Sequence, residues 1–355
     1  MVMSPFANTE VNITFPNGTW ISKTLEWLDV YQEMSPSTDL TGTIVQSSKP
    51  VSVVSGASCS YVIQKNDCDM ISEQLIPTNA FQRMFIVPPI LSNRFVVRIF
   101  SSQINSTVCV RDVAVENCTM MGSNQWIESA PKRSSLVVTS HDPISVIQYK
   151  ESDTYMTIVP SIQQFINSYT FVVPEVYINH DNYISVTILT AASQTLRLDG
   201  KPPRDHLVDT ANVASPFNNY TVLTFRITTG LHVMTTTETD VVFGLIAFGN
   251  FTFGAYGFPA GIDLVSAPNR QFQCYSCAEV SDLRLCDTVQ RYVPEELCSI
   301  EEFDRQGQSN FKLGCVAATC SVIEHGRPFP RCKSCCSEDL CNTNCTSGHA
   351  ASIIG

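Results

Sequence analysis

The distribution of cysteine constrains this chain more than any other feature. Four of its fifteen cysteines, Cys59, Cys68, Cys109 and Cys118, lie before residue 270, and the other eleven fall in the last 82 residues. Cysteine that dense in a short stretch signals a disulfide scaffold or a metal cluster. Zinc sites mix Cys with nearby His at fixed spacing. Only His325 and His349 fall in this stretch, and neither has that spacing. Bridges are therefore expected, and with them an oxidising, extracellular setting. In the front part Cys59 and Cys68 are nine apart, as are Cys109 and Cys118. Each pair is expected to close a short hairpin with a local bridge, Cys59–Cys68 and Cys109–Cys118.

Seven Asn-x-Ser/Thr sequons agree with that setting: Asn12, Asn17, Asn105, Asn117, Asn219, Asn250 and Asn344. Each is a candidate acceptor of an N-linked glycan. Asn117 and Asn344 carry Cys at the middle position, a poorer acceptor context. The formal net charge is −11 and no basic cluster interrupts it, which argues against nucleic acid and against bare anionic membranes as partners. The opening Met1-Val-Met-Ser-Pro-Phe has no basic start and no long apolar core, so a processed or truncated N-terminus is expected for a secreted chain. The most apolar stretch, 241–258, holds four glycines and a sequon and reads as paired strands rather than a membrane span.

Charged residues make up only 15% of the chain against 44% hydrophobic, a mix that suits strands and turns. Residues 10–260 read as many short strands, among them 51–54, 95–100, 135–139 and 183–189. Turn chemistry separates them at Ser-His-Asp-Pro, 140–143, and at Asp199-Gly200. No window holds a helical period. An internal repeat is visible. Met84-Phe-Ile-Val-Pro-Pro-Ile leads into 95–100, as Tyr169-Thr-Phe-Val-Val-Pro leads into 183–189. The closing elements 139–149 and 237–249 match each other, and 46–56 looks like a third copy whose opening strands are missing. The expected architecture is all-β: a partial β-sandwich module at 1–80, complete modules at 81–160 and 161–262, a linker at 263–273, a cysteine-rich domain at 274–345 and a tail at 346–355. The small residues Ser347, Gly348, Ala350 and Ala351 would suit the cleavage site of a lipid anchor, the one membrane attachment contemplated; the hydrophobic segment such a signal needs does not follow.

The tail opens on Cys274-Tyr-Ser-Cys277 and closes on "CCSEDLCN". These motifs resemble the three-finger (LU) family that includes the urokinase receptor and snake toxins, over roughly residues 272–346. The resemblance implies bridges Cys274–Cys298, Cys277–Cys286 and Cys336–Cys341, with Cys320 joined to Cys335 and Cys332 to Cys345. The family's fourth cysteine is absent near Arg291-Tyr292, which leaves Cys315 free, buried or available to another chain. Three-finger domains bind proteins through their fingers. Here the central finger would be 299–314, with Asp304, Arg305, Gln306, Gln308 and Asn310 at a polar tip.

The front part resembles a second family. "SSKPVSVVSG", "CDMISEQLIPTNAFQRMFIVPPI", "QQFINSYTFVVP" and "LRLDGKPP" stand in the order found in the N-terminal region of the IgG Fc-binding family, over about residues 10–262. That family occurs in secreted mucus and adhesive proteins. Its usual Asp-His after the second cysteine is Asp69-Met70 here, so no role for that His carries over.

No catalytic constellation, cofactor motif or metal spacing is found. The six histidines lack metal spacing, and neither a G-x-S-x-G elbow nor a phosphate-binding glycine loop is present. Asp67 and Asp69 flank Cys68, where a solvated turn is favoured over a calcium site. Trp20, Trp27 and Trp126 are expected in the core or at strand edges. The function expected is that of a secreted structural or adhesive glycoprotein of mucus, coat or filament type. It would act by association with other extracellular proteins or with itself as a homo-oligomer. A cell-surface receptor that binds through its three-finger domain is the alternative, and no enzyme is expected.

Overall fold

A computed structural model describes residues 1–63, 68–102, 106–113, 115–151, 154–175, 181–214, 216–217, 219–251, 254–264, 272–286, 289–292, 296–305, 307–317, 332–336 and 342. Every regular element among them is a strand, apart from five short 3-10 helices. The chain divides into two compact units, 1–267 and 268–355.

The first unit opens with β1 (Val2–Met3), β2 (Thr9–Thr14), β3 (Trp20–Leu25), β4 (Val30–Tyr31), β5 (Ile44–Ser47), β6 (Ser52–Ser60) and β7 (Asp69–Gln74). Alternation along β2 sends Thr9, Val11 and Ile13 inward and Glu10 and Asn12 outward, as a half-covered strand requires. Two sheets result, in the orders β4-β1-β6-β7 and β3-β2-β5, around Val2, Val11, Ile13 and Leu25. The sequence reading expects opening strands to be missing here; the structure gives the segment seven strands and an apolar core. β6 and β7 approach so closely that a Cβ on Gly56 would lie 2.1 Å from the Ile71 carbonyl oxygen. Gly56→Ala is expected to part these strands at a cost of about 2 kcal/mol, seen as a lowered midpoint in chemical denaturation; an unchanged midpoint would contradict the register.

The next segment carries β8 (Gln82–Val87), β9 (Phe95–Ser101), β10 (Ser106–Arg111), β11 (Glu116–Met121), β12 (Trp126–Glu128), β13 (Leu136–Lys150) and β14 (Met156–Ile158). The expected turn at 140–143 is not one. The chain runs through it as a single fifteen-residue strand, β13, with a register shift between Thr139 and Ile144. Before the shift β13 pairs mainly with β8 and β10, and after it with β9 and β14. Pro143, which has no N–H to donate, falls within the shift, where no ladder bond is needed. The neighbouring Asp142 amide donates to Ser106 Oγ at 3.3 Å. Ser-His-Asp-Pro thus moves one strand between partners instead of reversing the chain.

The third segment holds β15 (Ser168–Val173), β16 (Asp181–Leu189), β17 (Leu196–Leu198), β18 (Leu207–Asn212), β19 (Tyr220–Arg226), β20 (Gly230–Thr236), β21 (Gly244–Phe251) and β22 (Gly254–Pro259). Its sheets run β15-β20-β17 and β18-β19-β16-β21-β22 over a core that includes Tyr169, Phe171, Ile184, Val186, Phe243 and Leu245. The buried Tyr169 hydroxyl donates to the Phe243 carbonyl. In both later segments the opening strand lies beside the closing one, β9 with β13 and β16 with β21. The three segments share apolar clusters. Ile71 of β7 packs with Val96, Ile147, Met156 and Ile158, and Ile86 and Val137 pack with Val213 and Val222. Arg98 adds a polar tie. Its guanidinium lies 4.8 Å from the Trp126 ring centre and 5.2 Å from that of Tyr149, and its Nη1 donates to Thr41 at 3.1 Å.

The second unit has β23 (Phe272–Tyr275) paired with β25 (Val289–Tyr292), and a sheet ordered β24-β27-β26-β28, from β24 (Cys277–Val280), β26 (Glu296–Arg305), β27 (Gln308–Ala317) and β28 (Cys332–Cys336). Its apolar core is small, centred on Cys286, Ile300 and Leu313. The buried amide of Asn342 ties β23 to β26. Its Oδ1 accepts from the Tyr275 amide at 3.1 Å, while its Nδ2 donates to the carbonyls of Tyr275 at 2.8 Å and Ser299 at 3.0 Å.

Candidate binding surfaces

Four disulfides are present among the described residues: Cys59–Cys68, Cys109–Cys118, Cys274–Cys298 and Cys277–Cys286. Cys109 and Cys118 face each other directly across the β10–β11 pair. Cys320, Cys341 and Cys345 lie outside the described residues, and with them one end of each remaining expected bridge. The Cys315 backbone stands opposite Cys298 on β27, and Cys336 stands opposite Cys298 on β28. Cys109, Glu116 and Cys118 come close enough to suggest a metal cluster. The two sulfurs are bonded to each other, and Glu116 takes the Arg111 guanidinium at 2.7 Å, so no ligand set remains. Asp69 accepts the Thr154 amide at 2.9 Å, a structural use; Asp67 lies outside the described residues.

Asn12, Asn17, Asn117 and Asn219 are exposed. Asn250 is half-buried, with its Oδ1 shut from solvent and without a hydrogen-bond partner, a poor position for a glycan. Asn105 and Asn344 lie outside the described residues. β26 and β27 form a long hairpin in which Asp304 pairs with Ser309, Arg305 with Gln308 and Phe303 with Asn310. The Gly307 amide donates to Asp304 Oδ1 at 2.8 Å, and Gly307 takes φ +84°, where lack of a Cβ is an advantage. Asp304 and Gln308 are exposed there and Asn310 is half-buried; Gln306 lies outside the described residues.

Sequence reasoning missed the apolar surface near the start of the chain. Trp126 packs under Arg98, but Trp20 and Trp27 are 68% and 69% exposed, so Trp27 belongs to no core. Among the described residues, twenty-one large apolar side chains are exposed. Eight of them fall within the first 34 residues: Met1, Met3, Phe6, Trp20, Trp27, Leu28, Val30 and Met34. Exposed apolar side chains so concentrated in one stretch are candidates for an interaction surface. Met3 and Val30 are direct partners across β1 and β4, so they share one face. Trp27 and Leu28 form the tip of the turn Glu26–Asp29, closed by the Asp29 amide on the Glu26 carbonyl at 3.0 Å. No turn signal such as Gly or Asn marks this tip in the sequence, which is why it went unread.

The third segment carries a cleft of about 230 Å³. The Asp199-Gly200 hairpin loop, with φ +50° and +79°, turns β17 back so that Lys201 and Pro202 reach its mouth. Leu198, Pro203 and Ile227 give it apolar walls, and Lys201 and His206 stand at its edge. His232 is held by Asp199 Oδ2 at 2.8 Å and the Thr228 carbonyl at 2.9 Å, which leaves neither ring nitrogen for a ligand. Burial works against the Asp199 charge, but the Val233 amide and His232 outweigh it and hold this carboxyl below its ordinary range.

The IgGFc binding protein family matches residues 3–249, more than two thirds of the chain. The chain belongs to that family. A segment of 78 residues is 38% identical to human IgGFc-binding protein; it amounts to 22% of this chain and 1% of the human protein's length. No solved structure matches. The match ends within β21 and so covers the three β segments up to that strand, leaving out β22 and the cysteine-rich unit. Membership places the chain in a family of extracellular proteins. No helix among the described residues is long and apolar enough to cross a membrane.

Proposed function

We propose that this chain is a structural or adhesive extracellular glycoprotein, of mucus, surface-coat or filament type, that works by protein–protein association. The observation that carries this reading is the apolar surface of the first 34 residues, displayed on a unit whose segments are joined by shared apolar cores. A multi-sheet scaffold that displays apolar side chains in one stretch of its chain suits a binding partner or a building block. Self-association is tested by native size across concentration, with and without reductant. Concentration-dependent growth is expected, and monomers throughout would refute it. The human relative is named for binding the Fc part of IgG; an Fc fragment is accordingly the first foreign probe for the protein-binding role. The tail, read as a three-finger domain, offers a second contact through its β26–β27 hairpin, which projects Asp304 and Gln308 into solvent. If this domain is the reader, as in a surface receptor, deleting 272–346 abolishes saturable partner binding and leaves the β segments folded.

A further inference from the structure

The Glu26–Asp29 turn is built against the ordinary preferences of turns. Leu28 takes φ +62° at the third position, where glycine or asparagine is the norm because a Cβ is strained there. It and Trp27, both large and apolar, point into solvent. Among the described residues neither side chain belongs to an apolar cluster. Yet the turn is tightly held: the Leu28 amide donates to the Ser4 carbonyl at 2.8 Å, the Ser4 amide to the Asp29 carbonyl at 3.1 Å, and the Glu26 amide to Asp29 Oδ2 at 2.8 Å. A strained, fixed and solvent-facing apolar tip is preorganised for insertion into a pocket. Two exposed carboxylates, Glu26 and Asp29, flank it.

The same chain carries a receptacle of matching character. The cleft beside β17 and β20 offers Leu198, Pro203 and Ile227 as walls, and Lys201 and His206 as exposed groups at its edge, His206 near enough to Asp199 to act on its charge. Asp199 is occupied by His232 and the Val233 amide. A cleft of about 230 Å³ is of the size a single large side chain fills. Tip and cleft lie in different segments.

From the tip's acidic flanks and the cleft's basic edge we infer that Trp27 of one copy docks into the Leu198–Ile227 cleft of a second copy, with Leu28 against its rim. Glu26 and Asp29 then meet Lys201 and His206. Such a contact joins two different patches, so copies add head to tail, as an open row or, where the rotation between copies closes, as a ring. The inference rests on the self-association reading above and names the surfaces that perform it.

The test is sedimentation of the full chain across concentration, using two variants. Trp27→Ser removes the tip; Lys201→Glu with His206→Glu reverses the cleft edge. All three positions are exposed, so unchanged thermal transitions serve as the folding control. Wild type is expected to form concentration-dependent rows or rings. Each variant alone should associate at least tenfold more weakly, as removal of a central aromatic anchor does elsewhere. An equimolar mixture of the two should give one-to-one pairs and nothing larger, because only one tip and one cleft remain complementary. If Trp27→Ser assembles like wild type, or the mixture stays monomeric, the inference is wrong while self-association through other surfaces stands. If wild type is monomeric at every concentration, with and without reductant, both readings fail.

Discussion

Replacing Cys274 and Cys298 with serine is expected to unfold the second unit and leave residues 1–267 folded. Among its described residues that unit buries Cys286, Ile300 and Leu313 in one small apolar cluster, and a domain of this size leans on staples. The bridge closes a separation of 24 residues. A loop of that length constrains the unfolded chain by about 3.5 kcal/mol, more than the roughly 2.7 kcal/mol for a nine-residue separation such as Cys277–Cys286. It also joins β23 to β26, which belong to separate sheets, so its loss parts the two layers. Limited proteolysis is the measurement: cleavage should fall in the second unit and spare a fragment ending near the unit boundary. A protease-resistant tail in the double variant would show that the bridge is dispensable. The larger unit should tolerate loss of Cys59–Cys68 or Cys109–Cys118 far better, because its cores are extensive and both loops are short.

Raising the pH from 4.5 to above 7 should cost the larger unit up to about 3 kcal/mol through Glu73 alone. This carboxyl sits on β7 opposite Ser55, beside the apolar cluster of Ile71, Ile147 and Ile158. Burial pushes it up from 4.5 to about 7, against the pull of backbone hydrogen bonds from Ile158 and Gln74. The folded chain therefore keeps a proton that the unfolded chain releases at lower pH. The stabilising contribution is fully present below about 4.5, declines through the window and is gone above 7. Glu73→Gln mimics the protonated form and should flatten this part of the profile, leaving the variant more stable than wild type at pH 7.5. Urea denaturation at pH 4.5, 5.5 and 7.5 decides it; parallel decline of the two proteins would sink the idea. Glu73 bridges β7 and β14, so the pH dependence reports on the joint between the first and second segments.

Much of the fold is legible in the residues. Val11 and Ile13 alternate with Glu10 and Asn12, and the strand they form alternates in the same way. Asp199-Gly200 reads as a tight hairpin because those residue types accept positive φ, and they adopt it. Ser-His-Asp-Pro misled, because proline marks both a turn and a point where a strand needs no donor. Only the placement of β8, β9, β10 and β14 around β13 distinguishes the two. The front segment's short strands, such as Val2–Met3 and Val30–Tyr31, carry too few residues to show a period in the sequence. The candidate surface was the least legible part. Trp27 and Leu28 have the composition of core residues, and whether a tryptophan faces inward or outward depends on what packs over it.

Residue types and their spacing were enough to read a bridged, all-β, extracellular type of chain with a cysteine-rich unit after a larger β region. Those properties follow from local quantities: residue composition, cysteine density, alternation and turn chemistry. Tertiary structure alone decided that the three β segments are not separate beads. Shared cores fuse them, because apolar faces that no single strand pattern assigns to a partner are buried against the neighbouring segment. It alone also set a strained Trp-Leu tip outside every core and opened a basic-edged cleft elsewhere on the same unit. Exposure is a property of what surrounds a side chain, and no local pattern encodes it.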